Sequence, residues 1–382
     1  MKRISLIGST GSIGIQTLDV ARERGYQIVG LAAGKNLETI RAQILEFHPS
    51  IAALFDETAG KALAQSLEGC CETEIVWGRE GVCRVAQAEN ADLVMNAAVG
   101  IAGLAPTVAA ITANKTLALA NKESLVCAGT LVNALAEEHH VPIVPVDSEH
   151  SAIFQCLHGG KPEEVERILL TASGGPFFGK TAEEIAPLGP AQALRHPSWS
   201  MGAKITVDSA TMMNKGFEMI EAQHLFRVRP EQIEVVVHRE SIVHSMVEYR
   251  DGSVLAQMSP PDMRLPIQYA VDYPDRMLSE RKRLDLFRLQ TLSFYPPDEK
   301  TFPAMALCRE AMLRGGNMGA AINGANEVAV AAFLREKIPF GAIEAAVEQA
   351  VGSVPFLPQP TLDDIFETDR LARVAATRAI SG

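Results

Sequence analysis

The sequence predicts an α/β Rossmann-type domain at the N-terminus, an α+β domain in the centre and a small bundle of helices at the C-terminus. Over residues 1–146, short β-branched runs alternate with helical stretches, as in βαβ units that form a parallel sheet. Over residues 147–272, strand-like runs are separated by loops rich in Gly and Pro. Residues 301–382 are poor in strand patterns and rich in Ala, Met, Glu and Arg, and residues 273–300, with three prolines and many charges, predict a linker.

The individual elements follow in order along the chain. Six runs predict the strands of the first domain: Ile4–Gly8, Gln27–Ala33, Ala52–Phe55, Leu93–Ala98, Thr116–Ala120 and Pro142–Val146. Five runs predict the strands of the central domain: ILLTAS, KITVDS, EVVVH, SIVHSMVEY and SVLAQM. Asp251-Gly252 joins the last two runs and is a strong hairpin signal. Near the C-terminus, Thr361 and Asp364 resemble a capping box that opens a helix.

Length and charge limit the classes of function. A chain of 382 residues exceeds what one compact core holds, so two or three domains are expected. The net charge of −11, without a basic face, argues against nucleic acid or a membrane as a partner. Glycines interrupt the apolar run that an N-terminal signal peptide would need, and no stretch reaches the roughly 18 apolar residues that cross a bilayer. We therefore expect a cytoplasmic protein with reduced cysteines.

A glycine-rich turn, GSTGSIG, follows the first predicted strand and precedes an apparent helix. In that position the backbone N–H groups and the helix N-terminus face a pyrophosphate, and glycine permits its close approach. The spacing of Gly8, Gly11 and Gly14 departs from the commoner G-x-G-x-x-G, so the motif is moderately specific. The alternative is a turn that simply joins strand to helix.

The residues after the second predicted strand indicate which dinucleotide binds. NAD(H) usually meets an Asp or Glu there, which accepts a hydrogen bond from the ribose hydroxyl. This chain has Lys35 within Gly34-Lys35-Asn36 instead. Because a lysine attracts a 2′-phosphate, we favour NADP(H). The alternative is that Lys35 is a solvated loop charge.

Asp147-Ser148-Glu149 follows the last predicted strand of the first domain. If this stretch is extended, both carboxylates point to one face and can converge on a hard divalent cation. Paired surface acids are common, so this feature alone is weak evidence for a metal.

A second cluster, DSATMMNKGFE, occupies residues 208–218. If it enters a helix, Asn214 and Glu218 lie one turn apart on one face, with Lys215 beside them. The cluster then offers a third carboxylate to a cation, and it offers Ser209, Asn214 and Lys215 to a phosphate. The alternative is a capped helix whose charges are merely solvated.

Three shorter motifs are further candidates for ligand binding. Asn121-Lys122-Glu123 follows a strand at the edge where parallel sheets bind ligands, although it is also a plausible helix start. Ser173-Gly174-Gly175 offers a hydroxyl and backbone N–H groups to an anion. HPSWSMG places Trp199 on a loop, near 193–203, that predicts a lid over a substrate. Each of the last two motifs has the alternative of an ordinary packed connection.

Seven ordered blocks together resemble the 1-deoxy-D-xylulose 5-phosphate reductoisomerase family along essentially the whole chain: GSTGSIG, AGKN, LANKESLV, VDSEHSAIFQ, ASGGPF, HPSWSMG and DSATMMNKGFE. The resemblance implies an oxidoreductase that needs NADPH and a divalent cation, Mg²⁺, Mn²⁺ or Co²⁺. Its implied partner is a small phosphorylated ketose, and its implied state is a cytoplasmic homodimer. Such an enzyme isomerises and reduces 1-deoxy-D-xylulose 5-phosphate to 2-C-methyl-D-erythritol 4-phosphate, in isoprenoid precursor biosynthesis.

The resemblance also implies roles for individual residues. The implied NADPH contacts are Thr10, Gly11, Ser12, Ile13, Gly34, Lys35, Asn36, Asn121, Glu123 and Gly202. The implied metal ligands are Asp147, Glu149 and Glu218. The implied substrate contacts are Lys122, Ser148, Ser173, His196, Trp199, Ser209, Asn214 and Lys215. Catalysis is implied to depend on the metal ligands together with Lys122 and His196.

Two other classes of protein share parts of this pattern. A semialdehyde or homoserine-type NADP-dependent dehydrogenase also joins a Rossmann domain to a catalytic sheet domain, but it does not need the D-x-E motif with a third, distant carboxylate. A non-enzymatic NADPH-sensing module would bind the cofactor without oxidising it.

Overall fold

The computed structural model describes residues 2–199 and 201–381, so Ser200 of the predicted lid lies outside the described residues. Contacts divide the chain into two compact units. The first unit comprises Met1–Ser124, Val132–Asp147 and Asp262–Arg281, and the second comprises Leu125–Leu131, Ser148–Pro261 and Lys282–Gly382. These units follow spatial contacts, whereas the predicted boundaries at 146, 272 and 300 follow changes of pattern, and the two divisions place residues 262–281 differently.

The described residues form these strands: β1 (Arg3–Ile7), β2 (Gln27–Ala33), β3 (Ile51–Leu54), β4 (Glu74–Trp77), β5 (Leu93–Asn96), β6 (Thr116–Leu119), β7 (Ile143–Pro145), β8 (Val165–Ala172), β9 (Ile233–Val237), β10 (Val243–Tyr249) and β11 (Val254–Met258).

The helices of the described residues are α1 (Ser12–Arg24), α2 (Leu37–Phe47), α3 (Glu57–Leu67), α4 (Gly78–Ala86), α5 (Leu104–Thr112), α6 (Lys122–Glu138), α7 (Ser148–Cys156), α8 (Ala182–Ile185), α9 (Pro190–Ala193), α10 (Ala203–Ala210), α11 (Met213–Phe226), α12 (Arg264–Asp272), α13 (Leu286–Leu289), α14 (Ala304–Arg314), α15 (Met318–Leu334), α16 (Ala342–Ser353) and α17 (Leu362–Ser381). Single 3-10 turns lie at Gly100–Gly103, Leu157–Gly159, Pro162–Glu164 and Pro230–Gln232.

The first unit is built on a parallel sheet in the order β4-β3-β2-β1-β5-β6-β7. Its interior strands are apolar and buried, because helices cover both faces of such a sheet. The chain leaves the edge at β4 and returns beside β1 as β5, so the strand order reverses at β1 and β5. Ligands bind outside the carboxyl ends of the strands at this kind of reversal. The structure confirms the Rossmann-type prediction and all six predicted strands.

The sequence analysis missed the edge strand β4. Its four residues, EIVW, are exposed or half-buried. A short edge strand lacks the continuous apolar run that predicts a buried strand, and it is defined mainly by its pairing with β3.

Helix α12 belongs to the first unit, where it packs against α1. The hydroxyl of Tyr26 donates a hydrogen bond to Oδ1 of Asp272 at 2.5 Å, and Arg281 forms an ion pair with Glu23. These contacts attach a segment that is far away in sequence, and such long-range packing leaves no periodic signal in the chain.

The second unit contains a mixed sheet in the order β11-β10-β8-β9. Strands β8 and β9 run parallel, and the other two pairs are antiparallel. The hairpin between β10 and β11 turns at Asp251-Gly252, as predicted. This sheet confirms the α+β class of the central region.

The prediction that KITVDS is a strand was wrong, because these residues form most of α10. The run has β-branched residues, but it also has helical spacing: Lys204 pairs with Asp208, four residues on, at 2.8 Å. Asp208 in turn accepts a hydrogen bond from Nδ2 of Asn326 on α15 at 2.8 Å. Packing of the buried face, including Val207 and Ala210, therefore overrides the local β propensity.

Helices α14 to α17 pack together and confirm the predicted helical region. Helix α15 is buried along most of its length and contacts both α16 and α17. At the start of α17, the N–H of Thr361 donates to Asp364 at 2.8 Å and the N–H of Asp364 donates to Thr361 at 3.2 Å, which is the predicted capping box. No helix between residues 2–199 or 201–381 has the length and apolar character needed to span a membrane.

Candidate active site

Close backbone contacts shape the glycine turn between β1 and α1. Gly8 has a φ of +84°, and a Cβ built on it would lie 2.3 Å from the carbonyl oxygen of Ala97. A Cβ on Gly14 would lie 2.2 Å from the carbonyl oxygen of Gly8. Gly11 is the N-cap of α1 and has no capping side chain, so the N-terminus of this helix suits an anion. The other predicted contacts in this segment are Thr10, Ser12 and Ile13.

The segment after β2 carries the predicted 2′-phosphate contact. Gly34 and Lys35 are exposed. Asn36 is the N-cap of α2, and its side chain accepts a hydrogen bond from the N–H of Thr39 at 3.1 Å. Asn36 therefore has a structural role in starting α2, and the exposed Lys35 ammonium is accessible to an anionic group.

Asn121 lies at the carboxyl end of the same sheet and starts α6. Its Oδ1 accepts a hydrogen bond from the N–H of Ser124 at 3.0 Å. Its Nδ2 donates to the carbonyl oxygens of Ala98 and Gly100, at 2.9 and 3.0 Å, and to Oε2 of Glu123 at 3.0 Å. The helix-start interpretation of this motif is thus confirmed, and Asn121 and Glu123 are buried polar groups in a fixed arrangement.

Lys122 and Asp147 form an ion pair in the first unit. Nζ of Lys122 lies 2.9 Å from Oδ2 of Asp147, and the two side chains are 7% and 14% exposed. Lys122 begins α6, while Asp147 follows the end of β7 by two residues. The carboxyl ends of neighbouring strands therefore bring together two of the residues predicted to be catalytic.

Glu149 lies in a helix, so the prediction that Asp147-Ser148-Glu149 is extended was wrong. Strand β7 ends at Pro145, the N–H of Val146 still donates to the carbonyl oxygen of Leu119 at 2.9 Å, and α7 begins at Ser148. The hydroxyl of Ser148 donates to Oε2 of Glu149 at 2.5 Å. Glu149 is consequently presented by the first turn of α7.

Helix α11 places Asn214, Lys215 and Glu218 together, as predicted. Nδ2 of Asn214 donates to Oε1 of Glu218 at 2.5 Å. The ammonium of Lys215 lies 2.9 Å from Oε1 of Glu149 and also forms an ion pair with Glu218. Burial acts to lower the pKa of Lys215, but the two carboxylates outweigh it and raise that pKa above its usual value. The helix thus gathers a buried cation between two acids.

Glu149 and Glu218 form what we call the carboxylate pair. Each has an oxygen within 4.8 Å of an oxygen of the other. Carboxylate oxygens are the ligands that Mg²⁺ and Mn²⁺ prefer, and a separation of this size fits two ligands of one cation. The chemistry of the pair therefore fits a hard divalent cation. Asp147, the third predicted ligand, precedes Glu149 by two residues in the chain.

His196 contacts the two serines predicted to bind phosphate. Its Nε2 lies 3.0 Å from Oγ of Ser173 and 3.1 Å from Oγ of Ser209. We call these three side chains the Ser-His corner. Ser173 follows β8 and Ser209 lies on α10, so the corner joins a sheet edge to a helix.

The hydrogen bonds to the second ring nitrogen of His196 show which nitrogen carries the proton of the neutral ring. Nδ1 accepts hydrogen bonds from the backbone N–H groups of Ser198 and Trp199, at 3.3 and 3.0 Å. The proton of the neutral ring therefore resides on Nε2, which faces the serines. Burial, assisted by the positive charge of Arg239, lowers the pKa of His196 to about 4. At neutral pH, His196 presents an uncharged N–H donor to the corner.

The predicted lid packs against β10 and the turn that precedes it. The ring of Trp199 lies 6.1 Å from that of His244, and Oγ of Ser198 is 2.8 Å from Oγ of Ser241. Gly202 follows as the N-cap of α10. Closure of this segment over a substrate stays a prediction.

Sequence analysis missed a buried pair behind the carboxylate pair. Nδ1 of His150 lies 3.5 Å from Oε2 of Glu221, and both side chains are fully buried. Nε2 of His150 lies 3.0 Å from the carbonyl oxygen of Glu218. These contacts join α7 to α11, and they fix the two helices that carry the carboxylate pair. The sequence signal was the position of His150 beside Glu149.

Two features define the class of this protein. The first is a parallel sheet with a glycine-rich turn where the strand order reverses. The second is an α+β unit that carries both the carboxylate pair and the Ser-His corner. The class is a nucleotide-dependent, metal-assisted oxidoreductase that acts on a small anionic substrate. Comparison with known proteins then specifies the family. Family models described as 1-deoxy-D-xylulose 5-phosphate reductoisomerase match residues 4–129, 143–226 and 258–375, the last two being its C-terminal domains.

Individual relatives agree over the whole chain. The 1-deoxy-D-xylulose 5-phosphate reductoisomerase of Prosthecochloris aestuarii is 52% identical over 378 residues, which cover 98% of this chain and 99% of the relative. The solved structure of the enzyme from Zymomonas mobilis in complex with NADPH is 42% identical, with a TM-score of 0.92 and coverage of 100% and 99%. A solved reductoisomerase in complex with NADPH, fosmidomycin and magnesium is 40% identical, with a TM-score of 0.93 and coverage of 100% and 98%.

The chain therefore belongs to the 1-deoxy-D-xylulose 5-phosphate reductoisomerase family, which confirms the resemblance found in its sequence. The semialdehyde or homoserine-type dehydrogenase is not favoured, because the match to the reductoisomerases extends over essentially the full length.

Proposed function

We propose that this chain converts 1-deoxy-D-xylulose 5-phosphate to 2-C-methyl-D-erythritol 4-phosphate, with NADPH as the reductant and a divalent cation as a cofactor. Membership of the family supports the reaction, and solved relatives in complex with NADPH and magnesium support the cofactors. The observation that carries the proposal is the presence, in the second unit, of a carboxylate pair that fits a cation and a Ser-His corner that fits a phosphate.

The first unit would bind the nucleotide. The glycine turn and the N-terminus of α1 suit the pyrophosphate, and the exposed Lys35 suits the 2′-phosphate. Asn121 and Glu123 would contact the nucleotide from the carboxyl end of β6, where their mutual hydrogen bond restricts their movement. Gly202 is assigned to the nucleotide on the resemblance alone.

Asp147, Glu149 and Glu218 would hold the cation. When bound, the cation supplies a Lewis acid for the carbonyl and the adjacent hydroxyl of the substrate, and NADPH supplies a hydride. Lys122 is paired with Asp147, so it would remain close to the reacting oxygens and hydrogen-bond to them. Ser148, beside Glu149 at the start of α7, would contact the same part of the substrate.

The phosphate group would bind at the Ser-His corner, where two hydroxyls and the N–H of His196 can donate to it. Asn214 and Lys215 would contact the substrate from α11. Trp199 would cover it and exclude water. Binding the phosphate away from the reacting carbons orients the substrate, and this orientation lowers the barrier of the chemical step.

A coupled assay tests the function directly. With 1-deoxy-D-xylulose 5-phosphate and Mg²⁺, absorbance at 340 nm should fall as NADPH is consumed. Excess EDTA should stop the reaction, and added Mg²⁺ or Mn²⁺ should restore it. An NADPH-sensing module would bind NADPH without consuming it, so binding without turnover would overturn the proposal. Turnover of an aspartate semialdehyde instead of the ketose phosphate would favour the dehydrogenase alternative.

The homodimer and the cytoplasmic location implied by the resemblance stay predictions. Light scattering should give a mass twice that of the 41.1 kDa chain if the dimer forms. Comparison of turnover with Mg²⁺, Mn²⁺ and Co²⁺ would rank these metals as cofactors.

A further inference from the structure

Arg239 contacts the loop that carries Ser173. It belongs to the turn between β9 and β10. Its Nη1 donates to the carbonyl oxygens of Ser173 and Gly175, the second at 2.7 Å. The guanidinium also stacks over the ring of Phe178, with 4.9 Å between Cζ and the ring centroid. Two hydrogen bonds from one side chain therefore hold both ends of the Ser173-Gly174-Gly175 loop, and the third contact extends to Phe178.

The loop packs closely against α10, with no room for a side chain at Gly175. Gly175 has a φ of +64°, and a Cβ on it would lie 2.6 Å from the carbonyl oxygen of Ser209. The backbone of the loop is thus close to Ser209, the residue of α10 that supplies the second hydroxyl of the Ser-His corner. The carbonyl oxygens of Ser173 and Gly175 point toward Arg239, so the guanidinium lies next to their partial negative charges.

The three side chains of the Ser-His corner carry no charge near pH 7, and Arg239 is a charged side chain bound to the loop beside it. His196 is neutral near pH 7, and the other two members are hydroxyls. Lys215 shares its single positive charge between Glu149 and Glu218. The donors of the corner itself are neutral, so a nearby cation would help to balance the charge of a phosphate bound there, and Arg239 would add to any contribution from Lys215.

The charge of Arg239 reaches the corner. It is the second cause, after burial, of the low pKa of His196. The neighbouring Glu240 acts on Arg239 through its negative charge, and its own contacts are with other residues: its Oε1 accepts from Ser293 at 2.6 Å and its Oε2 lies 3.1 Å from Nδ1 of His238. The guanidinium donates its hydrogen bonds to backbone carbonyls and keeps its full charge, since an arginine does not lose its proton in proteins.

We propose that Arg239 is a positioning residue for the phosphate of the substrate: it fixes Ser173 opposite Ser209 and His196, and it adds positive charge that attracts the phosphate. This inference rests on the proposed function, because it assigns Arg239 to the phosphate part of that same site. Arg239 acts through the loop and through its electric field, and it contacts the phosphate only indirectly.

Two variants separate the effect of the hydrogen bonds that Arg239 donates to the loop from the effect of its charge. Arg239→Gln keeps N–H donors for the carbonyls but removes the charge, and Arg239→Lys keeps the charge with a shorter reach. Arg167→Met is the control, because Arg167 is a surface arginine of β8 paired with Glu234 and Glu248. Each purified full-length protein is assayed at low and high ionic strength. The assays give the KM for the ketose phosphate, the KM for NADPH, kcat and the inhibition by inorganic phosphate.

Arg239→Gln should raise the KM for the ketose phosphate at least tenfold, with kcat within about threefold and the KM for NADPH unchanged. Inhibition by inorganic phosphate should weaken in parallel. The wild type should lose affinity for the substrate as salt rises, and Arg239→Gln should lose much less. Arg239→Lys should recover most of the affinity at low salt, and Arg167→Met should match the wild type.

Other outcomes would overturn the inference. A wild-type KM in Arg239→Gln would show that the charge is not used. Equal losses in both variants, with a fall in kcat and in Tm, would show that Arg239 is structural support alone. Wild-type protein that does not consume the ketose phosphate would instead overturn the proposed function, so the two failures are distinguishable.

Discussion

Nζ of Lys215 lies 2.9 Å from Oε1 of Glu149 and pairs at the same time with Glu218. The ammonium therefore balances charge that a bound divalent cation would also balance. If Glu149 and Glu218 bind the cation as proposed, the cation would compete with Lys215 for these carboxylates, and its binding should release Lys215 to reach the substrate.

Lys215→Met should strengthen metal binding while it weakens catalysis. Without the ammonium, two like charges face each other in a buried space, and a cation relieves their repulsion. We expect the Kd of the substrate-free protein for Mn²⁺, measured by EPR, to fall several-fold. Turnover should fall at least about 100-fold, because the substrate loses a cationic contact. Lys337→Met, at an exposed position, is the control, and a weaker Mn²⁺ affinity in Lys215→Met would contradict the prediction.

Glu149→Gln should lower turnover by about 10²- to 10³-fold, since the amide keeps the shape of the side chain but removes a charged metal ligand. NADPH binding, followed by fluorescence, should be unchanged because the glycine turn and Lys35 are intact. Raising Mg²⁺ should recover part of the activity. Near-normal turnover at limiting Mg²⁺ would remove Glu149 from the set of metal ligands. Glu231→Gln, on the surface, controls for the loss of one negative charge.

Local pattern was enough to predict much of the fold. The strands of the first sheet are apolar runs buried on both faces, so six of them could be located from the local pattern of apolar and β-branched residues. KITVDS was misassigned because β-branched residues and helical spacing occur in the same six residues, and its contacts with Phe217 and Asn326 decide between them. Those contacts come from residues that are 13 or more positions away.

The candidate site was predictable where residues close in sequence act together. Asn214 and Glu218 are one helical turn apart, and their hydrogen bond follows from that spacing. The pair of His150 and Glu221 and the clamp of Arg239 on Gly175 depend on tertiary packing across 64 to 71 residues, which no local motif records. Sequence reasoning therefore finds ligand-type side chains more readily than the residues that position them.

Lys35→Ala should reduce the preference for NADPH over NADH by at least tenfold. The ammonium attracts the 2′-phosphate, which NADH lacks, so the KM for NADPH should rise and the KM for NADH should change little. Steady-state kinetics with each nucleotide measure the ratio. Lys61→Ala, at another exposed position in the first unit, is the matched control. An unchanged ratio would mean that another group recognises the 2′-phosphate.

Glu344 should make the stability of the protein depend on pH. Burial raises the pKa of Glu344 to about 8, assisted by Glu348 and opposed by a hydrogen bond from the backbone of Ala304. The folded state thus retains a proton that the unfolded state releases near pH 4.5, and stability is lost as pH rises from about 4.5 to about 8. Glu344→Gln cannot ionise, so it should raise the Tm at pH 8 by roughly 2–4 °C and have little effect near pH 5. Differential scanning calorimetry at both pH values measures this, with the surface variant Glu310→Gln as the control; equal effects at the two pH values would show that ionisation of Glu344 does not oppose folding.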